Sequence, residues 1–84
     1  MKNSVTQEQI ADILANSTVD VCTKFGKVTI VTVKLPNGFV LVEASGAVDP
    51  ANYNEEIGRD ICLKRIENKV WELEGYLLSS RMSA

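Results

Sequence analysis

Residues 28–44 read VTIVTVKLPNGFVLVEA, two runs of β-branched and aliphatic residues on either side of a Pro-Asn-Gly triplet. Residues of this kind suit the pleated, half-buried surface of a β-sheet. Pro, Asn and Gly in succession favour a tight turn, since each supplies a backbone conformation or a local hydrogen bond that turns need. We therefore predict two antiparallel strands, 28–34 and 39–44, joined at residues 36–38.

A further strand precedes this hairpin. In Val19–Phe25 apolar and polar residues alternate, which is typical of a strand with one buried face. Gly26-Lys27 follows, with glycine at the position that a type II′ turn prefers. The sequence therefore predicts a three-stranded antiparallel meander over residues 19–44.

A short helix is predicted before the sheet, over residues 6–15. Thr6 and Gln9 match a capping box, in which each side chain accepts from the backbone N–H of the other residue. Apolar residues then recur at helical spacing on one face.

A long helical segment is predicted after the sheet, over residues 50–81. Asp49-Pro50 suits a helix start, because Asp caps free N–H groups and Pro has none to leave unpaired. Residues 50–53 can also form a separate turn ahead of the main helix. The predicted fold class is α+β, in a single domain spanning residues 1–84.

The long helix carries an apolar seam with gaps of three, four, three and four residues. This a/d spacing packs helix against helix, or covers a sheet. A three-stranded sheet is narrow, and the helix bears more apolar residues than such a sheet needs, so we predict a homo-oligomer, at least a dimer, joined through the C-terminal helix. The seam consists of Leu63, Ile66, Val70, Leu73 and Leu77.

The charge balance argues against an extended nucleic acid as partner. Nine Lys and Arg stand against eleven Asp and Glu, a net charge of −2. Proteins that bind long nucleic acids usually carry a basic excess or stripe.

The N-terminal stretch MKNSVTQEQIADIL has no apolar region of the signal-peptide kind, and no apolar run approaches the roughly 20 residues of a membrane helix. We expect no membrane association and a location in the cytoplasm of whatever cell makes the protein.

Familiar catalytic sites are missing from the sequence. The chain has no His, the residue most often recruited as a general base. Cys22 and Cys62 form no CxxC pair, and zinc would need further thiol or imidazole ligands. We interpret them as small apolar residues, with a disulfide as the alternative. No phosphate-cradling glycine motif occurs. We expect no enzyme, no metal and no cofactor.

Two cations on the C-terminal helix are the best candidates for binding a ligand. Arg65 and Lys69 share one helix face despite their like charge. They are either solvated surface or an anion pocket, for which the planar guanidinium of Arg is well shaped. The aromatic residues that could stack on a base are Phe39, Tyr53, Trp71 and Tyr76. The alternative is that most of them belong to the core, Trp71 especially, because it flanks the apolar seam.

Two segments, LPNGFVLVEASGAVDPANYNEEIGRDIC and KVWELEGYLL, carry a family resemblance. They resemble a family of small proteins of tailed phages and prophages, named after early gene products of a lytic coliphage and a Shigella phage. The recognisable elements are Asn37–Phe39, Val48–Gly58 and Trp71–Leu78, and the likeness covers roughly residues 5 to 80. It implies a phage protein, while the family name says little about biochemistry.

The order of a small antiparallel sheet and C-terminal helices is also similar to the phage Thoeris anti-defence sponge. Proteins of that kind sequester cyclic ADP-ribose isomers made by bacterial TIR immune enzymes, without cleaving them. The resemblance implies that Phe39, Asn52, Arg65 and Lys69 contact the ligand. Tyr53, by its residue type, is the alternative to Phe39 as the stacking surface. This chain departs from it by being shorter and by having Lys69 where an Arg is expected.

These observations lead to a counter-defence protein that traps a cyclic nucleotide immune signal. The alternative is a phage effector that binds and modulates a host protein. A structural phage component is a third interpretation, which the lack of repeats and of an extended assembly strand disfavours.

Overall fold

A computed structural model describes residues 3–83 of the chain. The elements run in the order α1 (Gln7–Ala15), β1 (Thr18–Lys24), β2 (Val28–Lys34), β3 (Val40–Gly46), a short 3-10 turn (Pro50–Asn52) and α2 (Glu55–Met82). The three strands form one antiparallel sheet in the order β1-β2-β3. The predicted α+β fold is confirmed, with strand and helix ends displaced by one or two residues.

The register of the sheet assigns each strand residue to one of two faces. Val31 of β2 lies between Val21 of β1 and Glu43 of β3, and Val33 lies between Val19 and Leu41. Thr29, Val31 and Val33 are fully buried, so α1 and α2 cover this face. The opposite face carries Cys22, Ile30, Val40 and Val42, of which the last two are about half exposed.

The first hairpin turns one residue earlier than predicted. Its turn is Lys24–Lys27, closed by the Lys27 N–H donating to the Lys24 carbonyl. Phe25 (φ 55) and Gly26 (φ 66) are both left-handed, as the central residues of a type I′ turn are. The predicted Gly26-Lys27 type II′ turn is therefore wrong, because Phe25 accepts a backbone conformation that bulky residues rarely adopt.

The second hairpin follows the prediction at residues 36–38. Gly38 adopts φ 93 and its N–H donates to the Leu35 carbonyl. The Asn37 side chain accepts from the Phe39 N–H at 3.0 Å. Pro, Asn and Gly each act as the sequence predicted, one by its fixed φ, one by a side-chain bond and one by a positive φ.

Both helices begin at side-chain caps. Thr6 accepts from the Gln9 N–H at 3.1 Å, which is half of the predicted capping box. The other half is absent from α1, since the Gln9 side chain donates instead to Glu74 of α2 at 3.4 Å. Asn54 caps α2 by accepting from the Ile57 N–H. Residues 53–54 are extended. The predicted helical segment 50–81 is therefore a 3-10 turn, Pro50–Asn52, followed by a separate helix, Glu55–Met82.

The core lies between the sheet and the two helices. Ile10 of α1, Ile66 and Val70 of α2 and the central residues of β2 meet there. The start of α2 lies close to β2 at Gly58, where an added Cβ would lie 2.3 Å from the Thr29 hydroxyl oxygen. Glycine is required here because the helix backbone rests directly on the strand.

α2 is much longer than the sheet that it covers. Its 28 residues span about 42 Å, against about 23 Å for a seven-residue strand. The long axis of the chain, 51 Å, reflects this overhang. Within residues 3–83, no helix combines the length and the apolar character needed to cross a membrane.

The predicted apolar seam divides into two parts. Ile66 and Val70 are fully buried inside one copy, against the sheet. Leu73 and Leu77 lie on the overhang and remain about 40% exposed, at 39% and 42%. The first half of the seam therefore covers the sheet, as the simpler interpretation held. Only the second half is free to reach a partner, and the predicted oligomer stays a prediction.

Candidate anion-binding site

Arg65 and Lys69 converge on one carboxylate at the free edge of β3. Successive turns of α2 place their side chains over this edge strand. Arg65 Nη1 lies 3.9 Å from Oε1 of Glu43, and Lys69 Nζ contacts Oε2 of the same carboxylate. Arg65 Nη1 also donates to the backbone carbonyl of Ala44 at 2.9 Å. The two cations are thus able to hold the same anionic group.

Glu43 explains why two like charges are tolerated one turn apart. It lies on the helix-covered face of β3, and its side chain is only 16% exposed. A carboxylate in that position needs cationic partners to offset its desolvation. Arg65 and Lys69 supply them and remain 52% and 43% exposed, so the trio keeps a net charge of +1 with donors facing solvent. Of the five N–H groups of Arg and the three of Lys, most are left for a further anion.

Phe39 lies apart from this cation pair. It precedes β3 and stands four residues before Glu43, about 13 Å along the strand. Its half-exposed ring lines a groove with Leu35, Tyr76 and Leu77. Within one copy, the structure does not bring Phe39 together with Arg65 and Lys69.

Asn52 and Tyr53 lie at the opposite end of the sheet. Both line a small cavity of about 160 Å³ together with Gly46 and Ile61. The Tyr53 hydroxyl is hydrogen-bonded to Thr29 at 2.7 Å and to Thr23 at 2.8 Å. It anchors the loop before α2 to the sheet, and this anchoring uses the phenol that a ligand would otherwise meet. Asn52 is exposed, and Ile61 stands one turn before Arg65.

The five candidate residues therefore occupy three places. Arg65 and Lys69 are adjacent, Asn52 and Tyr53 are adjacent, and Phe39 is separate. Their roles in ligand binding remain predictions. Glu43, which organises the cations, was missed from the sequence. Its signal was present, since a single carboxylate on the inward-facing positions of a strand requires a cationic partner.

The groove beside Phe39 is a mainly apolar cavity of about 360 Å³. It lies where the β2–β3 hairpin meets the overhanging part of α2. Leu73, Tyr76 and Leu77 leave large apolar surfaces exposed there. A cavity of this size falls in the range that takes small molecules or an anchoring side chain of a partner.

The two cysteines are free and lie on different faces of the sheet. Cys22 is on the uncovered face, paired with Ile30, whereas Cys62 is a residue of α2 that is fully buried against the covered face. Burial raises the pKa of the Cys62 thiol above its ordinary value of 9.0, a shift that nearby Arg65 opposes. The sheet stands between the two residues, so the disulfide alternative is excluded. Among residues 3–83, no group of three or more His, Cys, Asp or Glu side chains could hold a metal ion.

Comparison with known families adds the origin of the chain. The profile described as the phage protein (N4 Gp49/phage Sf6 gene 66) family matches residues 5–82. The chain belongs to this phage protein family. Comparisons with curated proteins and with solved structures gave no match.

Membership of the N4 Gp49/phage Sf6 gene 66 family confirms the resemblance drawn from the segments at Asn37–Phe39, Val48–Gly58 and Trp71–Leu78. In this member, those segments form the second hairpin, the loop and first turn leading into α2, and the overhanging part of α2. Each of them borders one of the cavities described above. The parts of the chain that make the likeness recognisable are thus those next to candidate sites.

Proposed function

We propose that this phage protein is a counter-defence protein that sequesters a cyclic nucleotide immune signal of the cyclic ADP-ribose type. The single observation that carries the proposal is the convergence of Arg65 and Lys69 on one anionic group, with about half of each cation exposed. A ligand phosphate can take up the remaining N–H donors of both side chains. Charge-assisted bonds from Arg to phosphate are among the stronger polar contacts that proteins make.

The ligand is proposed to be bound and released intact in the host cytoplasm. Arg65 and Lys69 offer charge and hydrogen-bond donors that can hold an anion, and the one carboxylate beside them, Glu43, is already engaged by both cations. The protein is proposed to work as a homo-oligomer through α2. Phe39 lies about 13 Å along the strand from Glu43 within one copy, so a second copy is the simplest source of a stacking surface beside the cations.

Calorimetry with cyclic ADP-ribose isomers and cyclic dinucleotides tests the proposal. Arg65→Ala and Lys69→Ala are each expected to weaken binding at least about tenfold, since each loses a charge-assisted contact. Lys64→Ala is the matched control. Lys64 sits next to Arg65 in sequence but contacts Glu67 on another side of α2, so its removal leaves the affinity unchanged. No binding tighter than about 10 μM for any of these nucleotides would refute the proposal.

The Glu43→Gln variant tests whether Arg65 and Lys69 bind a phosphate or serve only to neutralise Glu43. In Glu43→Gln the cations lose their internal counter-charge, so a nucleotide phosphate is expected to bind more tightly than to the wild type. A cation pair that serves only to neutralise Glu43 would instead give no binding in either protein. Recovery of unmodified nucleotide after heating the complex is the expected sign of sequestration. Recovery of a cleaved product would show an enzyme.

The host-protein effector is the second candidate, and the apolar groove favours it. Leu73, Tyr76 and Leu77 are large apolar side chains that remain exposed on the overhanging part of α2. Phe39 lines the same groove and extends this apolar surface. Exposed contiguous apolar surface often marks a protein-binding site. Leu77→Glu would abolish binding of a host protein while leaving the cation pair and nucleotide binding intact. A nucleotide-binding protein is therefore expected to lose its function in Arg65→Ala and keep it in Leu77→Glu. A host-protein effector is expected to show the reverse.

A further inference from the structure

The free edge of β3 and the side of α2 above it form one lateral face. The residues that flank β3 are hydrogen-bonded across the β2–β3 hairpin, since the Ala47 N–H donates to the Lys27 carbonyl and the Phe39 carbonyl accepts from the Leu35 N–H. By the alternation of an antiparallel ladder, the backbone groups of Val40, Val42 and Ala44 point away from β2. The Arg65 bond to the Ala44 carbonyl agrees with this. These residues thus offer strand-pairing groups that no strand among residues 3–83 takes up.

The side of α2 above this edge carries an unusual mixture of residues. At spacings of four, three, four and four residues it presents two exposed apolar side chains at its ends, Ile61 and Tyr76, with Arg65, Asn68 and Glu72 between them. None of these five residues lies in the core. A stripe with this spacing is the kind of helix face that packs on another helix.

We propose that two copies of the chain pair through this lateral face. Their β3 strands lie antiparallel, centred on Val42, to give a continuous six-stranded sheet. Their α2 helices lie side by side on the same surface of that sheet. The proposal gives a surface to the oligomer proposed above, and its test measures mass rather than nucleotide binding, so either can fail alone.

The spacing of strands and helices agrees with such a pair. α2 packs on both β2 and β3, so its axis lies between them, inward of the edge by about half a strand spacing. Pairing two β3 strands about 4.8 Å apart then separates the two α2 axes by about 10 Å. Packed helices have axes about 8–10 Å apart. One arrangement of the two copies can therefore pair the β3 strands and pack the α2 helices at the same time.

The registers of the strands and of the helices also agree. Arg65 and Lys69 both reach Glu43, so the centre of β3 lies beneath residues 65–69. The centre of α2 falls between residues 68 and 69. An antiparallel pair about that point places Arg65 opposite Glu72 of the second copy, and Ile61 opposite its Tyr76. Opposite charges and apolar ends thus face each other on both sides of the axis.

Two details of the edge fit the same pairing. A centre at Val42 pairs Ala44 with Val40 of the second copy and keeps the two Glu43 carboxylates from facing each other directly, which like charges disfavour. The Ala44 carbonyl has a second lone pair, so it can accept from that Val40 while Arg65 stays in place. The lateral face is about 42 Å long along α2 but only about 23 Å long along β3, so with a depth of 19 Å it offers up to about 600 Å² per copy, at the lower end of the range for stable interfaces.

Sedimentation and light scattering from 1 to 100 μM test the proposal. The wild type is expected at twice the 9.2 kDa chain mass. Val42→Pro removes an outward N–H that the single copy does not use, so the fold survives and the dimer dissociates. Val19→Pro is the matched control, with proline at the corresponding kind of position on the β1 edge, and keeps the dimer. Circular dichroism verifies that both variants fold.

A charge reversal keeps the test decisive if either proline variant fails to fold. Glu72→Arg faces Arg65 of the second copy and is expected to weaken the dimer at least about tenfold, whereas Glu56→Arg, outside the stripe, does not. Arg65→Glu also takes one cationic partner from Glu43, so circular dichroism must show that it folds. The folded variant is expected to weaken the dimer as Glu72→Arg does. Mixing the two reversed proteins restores dimers, because each facing pair is then of opposite charge. A wild-type monomer at 100 μM overturns the proposal. So does a dimer that resists these changes, or one that Leu77→Glu breaks instead.

Discussion

Replacing Gly58 by Ala tests the packing of the α2 backbone on the central strand. The new Cβ would lie 2.3 Å from the Thr29 hydroxyl oxygen and 2.8 Å from its Cβ, far inside contact distance. Thr29 is fully buried and bonded to the Tyr53 hydroxyl at 2.7 Å. Its Cβ is fixed to the central strand. The first turn of α2 must therefore move off β2, or that hydrogen bond must break.

The expected cost follows from these contacts. Overpacking a filled core costs about 1–3 kcal/mol, and losing the Thr29–Tyr53 bond adds about 1 kcal/mol. Alanine recovers about 1 kcal/mol because it forms helix better than glycine. The net loss is about 1–3 kcal/mol, or roughly 5–20 °C in Tm for a domain of this size. Urea denaturation at fixed protein concentration measures it, since an oligomer makes stability depend on concentration.

Gly75→Ala is the matched control within the same helix. A Cβ at Gly75 meets nothing within 4 Å. Only the helix-propensity gain remains, so this variant is expected to be more stable than the wild type by up to about 1 kcal/mol. A Gly58→Ala protein as stable as Gly75→Ala would refute the close packing of α2 on Thr29.

Three further changes probe other parts of the chain. Phe25→Asn is expected to stabilise the fold by about 0.5–1 kcal/mol in thermal denaturation, because Phe25 is 91% exposed at a left-handed φ that Asn adopts more easily. Ile66→Ala is expected to cost about 2–5 kcal/mol in urea denaturation, since the residue is fully buried. The Cys62 thiol should react with thiol reagents only on unfolding, while Cys22 reacts in the folded protein. Because the folded-state pKa of Cys62 lies above its unfolded value of 9.0, the stability due to the neutral thiol is present below that pH and is lost as pH rises through the folded pKa.

The fold was predictable because its signals are local. The Pro36-Asn37-Gly38 turn and the alternation in β1 and β2 act over a few residues and do not depend on distant partners. The turn was predicted at Gly26-Lys27 instead of Phe25-Gly26 because bulky residues such as Phe25 rarely adopt a positive φ. The pairing of β1 with β2 places Phe25 in that conformation. The Gln9 side chain bonds to Glu74 instead of the backbone of Thr6 for a similar reason, because Glu74 comes near it only in the folded chain.

The candidate site was only partly predictable because it depends on contacts between distant residues. Arg65 and Lys69 were paired correctly by helical spacing, which is a local rule. Phe39 and Asn52 came from a likeness to another kind of protein, and their distance from the cations depends on the lengths of β3 and of the loop before α2. Nothing in the spacing of the helix alone reveals that Tyr53 is bonded to Thr29 and Thr23.

Glu43 connects the fold to both proposals. As an inward-facing carboxylate on an edge strand it requires cations, and Arg65 and Lys69 satisfy it from α2. This contact fixes which part of α2 lies over the centre of β3, and it thereby aligns the helix stripe with the strand edge. It also holds two cations in place before any ligand arrives, so that their ordering cost is already met in folding. The same carboxylate competes with a ligand phosphate for those cations, so affinity is limited by the residue that organises the site.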